Sequence, residues 1–204
     1  MPVVCDMSSN ICSRPIDWSR YDMVYAGAQK NMGPSGVTLV VVKESLIGHA
    51  KKTTPILYNF QTHLKASGTF HNTPNCWGIY VAGLNYAFML KEGIQNIHKR
   101  TQTKSGILYN YIDNSEGYYS NPVQAKYRSN MNVPFRVAMD KNLEAKFKKE
   151  AEKAGLMELG GHRSVGGCRA SIYNGMPNEG VEALVAFMKK FKAANPVKES
   201  PRLC

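Results

Sequence analysis

The stretch that decides the fold is residues 25–36, YAGAQKNMGPSG, in which Lys30 ends a short apolar segment. The residues that follow it include the turn-forming residues Asn31, Gly33, Pro34, Ser35 and Gly36. After them comes VTLVVV at 37–42, whose β-branched residues predict a buried strand. A lysine in this place is either a solvated loop charge or an amine held at a site.

The residues before this stretch supply a partner for the lysine. Residues 2–9, PVVCDMSS, form an apolar run that stops at Asp6, and VYAGAQ at 24–29 forms a second run that stops at Lys30. If the two runs are neighbouring strands, their ends bring a carboxylate and an amine to the edge where open α/β sheets bind ligands. Such a pair suits pyridoxal phosphate, but on spacing alone the signal is weak and an ordinary surface pair is the favoured alternative.

The middle of the chain is predicted to be helical. Residues 45–70 show little periodicity and predict a loop with short helical turns. Thr73 is placed to cap a helix and Pro74 to occupy its first turn, before the apolar-rich segment 77–90. We expect this helix to break near Gly93 and to continue to about Ile112.

The remainder of the chain predicts a small α+β layer of its own. Strands are predicted within residues 128–137 and 167–174, and two amphipathic helices present apolar faces. We expect three parts: a cofactor-binding part at 1–92, a small domain at 93–194 and a disordered tail at 195–204. The predicted helix faces consist of Leu143, Phe147, Ala151 and Ala154 in the first helix and Val181, Leu184, Val185, Met188 and Phe191 in the second.

The composition is that of a globular protein, with 43% hydrophobic and 20% charged residues among 204. Five cysteines without a CxxC pair argue against a disulfide framework or a zinc site, and no metal is expected. The apolar run at 37–42 is too short to cross a bilayer, and the start of the chain lacks a signal-peptide pattern. These features predict a soluble, cytoplasmic protein.

The net charge of +11 raises the question of nucleic-acid binding. The net charge is +3 over residues 1–92 and +8 over residues 93–204. Many of the lysines within residues 93–204 alternate with glutamates or apolar residues in helical stretches, as on a solvated helix face. No nucleic-acid motif accompanies them, so we expect no such partner, whereas small anionic substrates are compatible with the charge. Nucleic-acid binding stays open as a distant alternative and requires strongly salt-dependent association.

Several longer phrases carry a family resemblance. Residues 6–43, beginning DMSSN and including AGAQKN, closely resemble the cofactor-lysine region of the phosphoserine aminotransferases, which are fold-type I, class V pyridoxal-phosphate enzymes. The similarity continues through 70–84, 112–119, 128–137 and 161–191, which covers nearly the whole chain except about its last ten residues. The resemblance implies an α/β fold with part of the large-domain sheet followed by a small C-terminal α+β domain.

The resemblance also implies roles for residues near the cofactor. Lys30 corresponds to the lysine that binds pyridoxal phosphate covalently, Asp6 to the partner of the pyridine nitrogen, and Gln29 to a neighbour of the phosphate. Asn72 and Thr73 correspond to a pair that reaches the phosphate of a neighbouring subunit, which implies a homodimer. For Thr73 a plain helix cap is the alternative.

Three further residues correspond to positions that bind substrate. Arg169 matches the residue that grips the α-carboxylate, a task suited to a planar guanidinium. His162 and Arg163 match residues that face the substrate phosphate or the distal carboxylate of glutamate. The alternative is a solvated turn histidine with surface arginines. Gly166 and Gly167 are expected to permit a backbone bend rather than to bind a ligand.

The implied reaction transfers an amino group between glutamate and 3-phosphohydroxypyruvate to give O-phosphoserine, a step of serine biosynthesis. Family members are longer, and their upstream part supplies the aromatic residue that stacks on the cofactor ring and further phosphate ligands. We therefore expect this chain alone to bind the cofactor poorly. It is expected to be a truncated product, a fragment that pairs with a separate N-terminal piece, or a non-catalytic relative that dimerises with a full-length subunit.

Overall fold

The structure, a computed structural model, describes residues 1–66, 68 and 70–197. The chain divides into two compact units, residues 1–95 and residues from 96 onward. Assigning them to a cofactor part and a small domain stays a prediction, and most of the predicted disordered tail lies outside the described residues. The first unit contains β1 (Val4–Asp6), β2 (Met23–Gly27), β3 (Thr38–Val42), α1 (Phe60–Lys65) and α2 (Cys76–Glu92). The second contains most of α3 (Ile94–Asp113), then β4 (Tyr119–Ser120), β5 (Asn132–Val137), α4 (Lys141–Lys153), β6 (Cys168–Ser171) and α5 (Asn178–Ala194).

The first unit is built on a three-stranded sheet of order β1-β2-β3. Strands β1 and β2 are parallel, with Asp6 opposite Tyr25, and β3 runs antiparallel to β2. The prediction that the first two apolar runs are neighbouring strands is confirmed. Because the pair is parallel, the carboxyl ends of β1 and β2 lie at the same edge of the sheet.

The prediction that 37–42 forms a buried strand is wrong in one respect. The strand exists as β3, but Thr38, Val40 and Val41 are exposed, the two valines at 38% and 41%. Strand β3 lies at the end of the sheet order, so it has one neighbouring strand. Its β-branched residues reflect strand propensity here rather than burial on both faces.

Helix α2 begins later than the sequence predicted. Its cap is Asn75, whose side-chain oxygen accepts a hydrogen bond from the backbone N–H of Gly78 at 3.0 Å, so the prediction that Thr73 caps the helix is wrong. The predicted break at Gly93 is confirmed, since its φ of +83° is a conformation that glycine adopts at little cost. The expected short turns between residues 45 and 70 are present as two 3-10 turns, Glu44–Leu46 and Ile56–Tyr58, and helix α1.

The second unit packs helices against an antiparallel sheet of order β4-β5-β6. Its core is rich in edge-to-face aromatic pairs, among them Phe135 with Phe147 and Phe147 with Phe191. The predicted apolar faces of α4 and α5 are confirmed except at Ala154, which is exposed and follows the end of α4. Strand β4 is too short to have left a periodic pattern in the sequence. No described helix is long and apolar enough to span a membrane.

Lys104 is a fully buried cation in the second unit. Its amine donates hydrogen bonds to the backbone carbonyls of Ile172, Tyr173 and Met176, at 3.2, 2.7 and 2.7 Å. These carbonyls belong to the turn between β6 and α5. A buried ammonium group costs much desolvation free energy unless hydrogen bonds compensate it, and these carbonyls supply that compensation. Lys104 therefore fixes the turn that follows β6.

Replacing this cation tests its role. We expect Lys104→Met to lower the free energy of unfolding by about 2–4 kcal/mol, because the carbonyls that surround the buried amine lose their donor. Urea denaturation followed by far-UV circular dichroism measures the change. Lys99→Met, at an exposed lysine on the same helix, is the matched control and is expected to change stability by less than about 0.5 kcal/mol. Equal stability of the two variants would contradict the role assigned to Lys104.

Candidate functional site

The candidate site of the first unit lies at the carboxyl ends of β1 and β2. Asp6 is the last residue of β1, and Lys30 lies three residues beyond the last residue of β2. The parallel pairing brings both to one edge of the sheet. The structure thus places together the two residues that the sequence singled out.

The carboxylate of Asp6 is held in its ionised form. Hydrogen bonds from Ser8 lower the pKa of Asp6, and the positive charge of Lys30 lowers it further. One of these bonds runs from the backbone N–H of Ser8 to Asp6 Oδ1 at 2.8 Å. Asp6 is exposed, so its carboxylate is a fixed negative charge that a ligand can reach. The contribution of this ionised group to stability is present above its unfolded-state pKa and is lost as the pH falls through its lowered folded-state pKa.

The amine of Lys30 is held by the loop that follows β1. Its Nζ donates to Ser9 Oγ at 2.7 Å, and the neighbouring Ser8 Oγ accepts from the backbone N–H of Gly27 at 3.1 Å. The loop after β1 is therefore joined to the segment after β2 by side-chain hydrogen bonds. Both sides of the site keep their spacing because of these bonds.

A buried asparagine that the sequence analysis missed strengthens this junction. Asn31 is 2% exposed, and its Nδ2 donates to the carbonyls of Ser9 and Ile11 at 3.2 and 2.9 Å. The carbonyl of Asn31 accepts from Asn85 Nδ2 of α2 at 2.9 Å. In sequence, Asn31 is one of several turn-forming residues, so nothing marked it as buried.

The predicted phosphate-binding residues of the first unit lie on exposed backbone segments. Gln29 is exposed and its side chain lies over Gly27, where an added Cβ would come within 2.5 Å of Gln29 Oε1. Asn72 and Thr73 are exposed and precede α2, and Asn72 Nδ2 donates to the carbonyl of Thr73 at 3.2 Å. Neither residue belongs to the first turn of α2. The N-terminus of the helix therefore does not supply the phosphate contacts expected of Asn72 and Thr73.

The second unit carries the three predicted substrate-binding residues in one loop and strand. His162 and Arg163 are exposed in the turn before β6, and His162 Nδ1 lies 2.7 Å from Ser164 Oγ. The predicted bend is confirmed, since Gly166 and Gly167 have φ of +73° and +70°. The turn presents an imidazole and a guanidinium to solvent.

Arg169 lies on β6 opposite Pro134, and its Nε is buried without a hydrogen-bond partner. A second cation nearby was not predicted. Arg136 pairs with the buried carboxylate of Glu144, and an added Cβ at Gly167 would lie 2.8 Å from Arg136 Cδ. Only glycine fits there, so the Arg136 side chain packs directly beneath the turn that carries His162.

The chemistry of the first site follows from its donor set. A fixed carboxylate beside a primary amine suits a ligand with a protonated ring nitrogen and a carbonyl carbon. Burial raises the pKa of the Cys12 thiol and raises that of Cys168 to about 12, so neither is an activated nucleophile. Among the described residues, no group of three or more His, Cys, Asp or Glu side chains is placed to hold a metal ion.

Comparison with known proteins places the chain in a family. The sequence profile of the family described as aminotransferase class-V matches residues 1–184. The chain belongs to the class-V aminotransferase family. Its membership rests on a match that includes both the Asp6–Lys30 edge and the turn with His162.

The most similar class-V aminotransferases include phosphoserine aminotransferases from plants and bacteria. The chain is 50% identical over 192 residues to phosphoserine aminotransferase 2, chloroplastic, of Arabidopsis thaliana, covering 94% of the chain and 45% of that protein. It is 52% identical over 194 residues to the phosphoserine aminotransferase of Pasteurella multocida, covering 95% of the chain and 53% of that protein. The chain therefore spans about half the length of these relatives.

Solved structures of this family show the same fold. The phosphoserine aminotransferase from Bacillus circulans subsp. alkalophilus superposes with a TM-score of 0.90 at 43% identity, over 95% of this chain and 54% of that one. The phosphoserine aminotransferase from Trichomonas vaginalis, solved with pyridoxal phosphate bound, gives 0.86 at 34% identity, over 92% and 53%. The predicted fold class, that of the fold-type I aminotransferases, is confirmed.

The corrected start of α2 yields a test at the residues that precede it. We expect Asn75→Ala to lower the free energy of unfolding by about 1 kcal/mol, because it removes the side chain that caps the helix. Thr73→Ala is expected to change it by less than about 0.5 kcal/mol, since Thr73 is exposed outside the helix. Chemical denaturation of both variants measures the difference. A larger decrease in the free energy of unfolding for Thr73→Ala than for Asn75→Ala would indicate that Thr73 caps the helix.

Proposed function

We propose that the chain is part of a phosphoserine aminotransferase, which transfers an amino group between glutamate and 3-phosphohydroxypyruvate to give O-phosphoserine in serine biosynthesis. The observation that carries the proposal is the ionised carboxylate of Asp6 beside the amine of Lys30 at the ends of two parallel strands. The names of the similar relatives, which are half identical to this chain, support the choice of substrates.

The proposed cofactor is pyridoxal phosphate, which the donor set of the first site fits. Asp6 would hold the protonated pyridine nitrogen, Lys30 would bind the aldehyde carbon covalently, and Gln29 would donate its amide to the phosphate. When bound, this cofactor supplies an electron sink for the carbanion formed at the α-carbon of the substrate. The lowered pKa of Asp6 is the property this task requires, since a neutral carboxyl would not keep the ring nitrogen protonated.

The chain's own residues perform the remaining tasks at this site. Once the substrate amine has displaced it, the amine of Lys30 would take the proton from the substrate α-carbon onto Nζ and later give it up again as a general acid, so we assign it as both anchor and general base. Ser8 keeps Asp6 ionised, and Asn31 fixes the loop from which Ser9 contacts the amine. Removing Lys30 is therefore expected to abolish turnover rather than to weaken binding.

The proposed substrate contacts come from the second unit. Arg169 would bind the α-carboxylate of either substrate through two parallel hydrogen bonds, as its planar guanidinium allows. His162 and Arg163 would bind the phosphate of one substrate and the distal carboxylate of glutamate. Both side chains are exposed, so they are accessible to an anion.

The proposed assembly is a homodimer formed through α2. Large apolar side chains are exposed along this helix at intervals of three or four residues. Exposed apolar patches of this kind mark protein interfaces. In the homodimer, Asn72 and Thr73 just before α2 would reach the phosphate of the partner's cofactor. The exposed side chains are Trp77, Tyr80, Leu84 and Phe88, each more than half exposed, at 72%, 59%, 54% and 62%.

We further propose the cytoplasm as the compartment. Cys5, Cys76 and Cys168 are thiols rather than halves of disulfides, which supports a reducing environment. The proposed partners are small substrates and a second subunit.

The alternative is a non-catalytic protein that uses the α2 surface to join a full-length aminotransferase subunit. It is supported by the large apolar side chains that α2 exposes. The two proposals differ in the cofactor. An interaction protein forms mixed dimers without an adduct of its own at Lys30.

Covalent capture of the cofactor tests the proposed function. Although the chain alone is expected to bind the cofactor poorly, excess pyridoxal phosphate followed by borohydride reduction is expected to leave one stable adduct on Lys30, because its amine lies at the same sheet edge as Asp6. Peptide mapping by mass spectrometry locates it, and the visible absorption band before reduction reports its formation.

Two variants distinguish reaction at a specific site from nonspecific reaction of surface lysines. Lys30→Ala is expected to lose both the band and the adduct, whereas Lys43→Ala, at a lysine paired with Asp22, is expected to retain them. Adducts scattered over many lysines and unchanged by Lys30→Ala would refute the enzyme proposal for this chain.

Substitution on α2 tests the proposed homodimer. We expect Leu84→Glu to weaken self-association at least about tenfold, since it places a charge in the centre of the apolar face. Sedimentation equilibrium measures the dissociation constant. Leu57→Glu is the matched control, because Leu57 is as exposed as Leu84, at 53% against 54%, but lies outside α2. A chain that is monomeric throughout, or equally weakened by both changes, would contradict the proposal.

A further inference from the structure

Ser9 lies in the loop after β1 and contacts the amine of Lys30, but the proposed function gives Ser9 itself no role in the reaction. Its Oγ accepts a hydrogen bond from Lys30 Nζ at 2.7 Å, and both residues are partly buried. The contact therefore places the amine against a hydroxyl of the loop after β1, at the sheet edge where Asp6 also lies.

The backbone that carries the Ser9 hydroxyl is fixed from two sides. Its own carbonyl accepts from Asn31 Nδ2 at 3.2 Å, and the preceding Ser8 Oγ accepts from the backbone N–H of Gly27. Asn31 is buried, and α2 holds its carbonyl through Asn85. A hydroxyl on such a segment is a hydrogen-bond acceptor in a fixed position, unlike the side chain of a mobile loop.

A hydrogen-bond acceptor in a fixed position limits the movement of a reacting lysine side chain. The lysine side chain is a flexible four-carbon stem with a strongly hydrated head, so a released amine tends to move into solvent. An amine that must take a proton from the same ligand has to remain within hydrogen-bonding distance of it. Ser9 holds the amine at the edge of the sheet that also carries Asp6.

We propose that Ser9 is a positioning residue that holds the amine of Lys30 beside the ligand whenever the lysine is not covalently bonded to it. The role is a hydrogen bond from Nζ to Oγ, with no bond made or broken at Ser9. It rests on the proposed function in taking Lys30 as the reacting amine. The contact itself is measurable without any cofactor.

The test compares two rates in the full chain, in which Ser9 is replaced by Ala, Cys or Thr. The first rate is acetylation of Lys30 by acetic anhydride, followed by mass spectrometry with Lys43 as the internal reference. The second is the rate at which pyridoxal phosphate forms its adduct on Lys30. The acetylation rate reports how accessible the amine of Lys30 is to solvent. The rate of adduct formation reports how well the amine is positioned for the ligand.

The proposal predicts opposite changes in the two rates. With Ser9→Ala we expect acetylation of Lys30 to rise about three- to tenfold relative to Lys43, and adduct formation to fall by a similar factor, as loss of one hydrogen bond implies. Ser9→Cys, which keeps the size but is a poor acceptor, should follow Ser9→Ala. Ser9→Thr keeps the hydroxyl and should restore both rates. Loss of structure would instead raise the acetylation of Lys30 and Lys43 together.

The outcomes distinguish this inference from the proposed function. Unchanged acetylation of Lys30 in folded Ser9→Ala or Ser9→Cys would overturn the role of Ser9, as would failure of Ser9→Thr to restore it. If the unsubstituted chain forms no adduct at Lys30, the proposed function fails. The acetylation comparison still decides whether Ser9 holds the amine.

Discussion

The parallel pairing of β1 and β2 is the constraint on which the site depends. In a parallel pair both strands end at the same edge, so residues that terminate them become neighbours although 24 positions separate Asp6 from Lys30 in the sequence. An antiparallel pairing of the same two segments would place them at opposite ends of the sheet. The class-V aminotransferase fold thus brings carboxylate and amine together through topology rather than through local sequence.

The loops at this edge need additional support because strands end there. Each loop supplies a side chain that satisfies backbone groups of the other, with Ser8 contacting Gly27 and Asn31 contacting the loop after β1. Helix α2 completes the arrangement through Asn85. Buried amides whose hydrogen bonds are made specify one arrangement strongly, since any other leaves polar groups without partners. The site is therefore preorganised while Asp6 stays accessible.

Much of the fold could be predicted from hydrophobic periodicity. The errors arose at residues whose structure is set by contacts with other elements. Strand and helix patterns located every long element, and the edge shared by Asp6 and Lys30 followed from their places after two apolar runs. Thr73 and Asn75 are both good caps, so only the packing of α2 selected Asn75. A β-branched run indicates a strand but not its neighbours, which is why β3 proved half exposed. Lys104 has the sequence context of a surface helix, and its burial depends on carbonyls about 70 residues away.

The most direct measurement of the central claim is a crystal structure of the chain grown with pyridoxal phosphate. The paired strand ends predict continuous density from Lys30 Nζ to the cofactor, with the pyridine nitrogen within hydrogen-bonding distance of the Asp6 carboxylate. A cofactor bonded to another lysine, or one at Lys30 whose ring nitrogen faces away from Asp6, would contradict it.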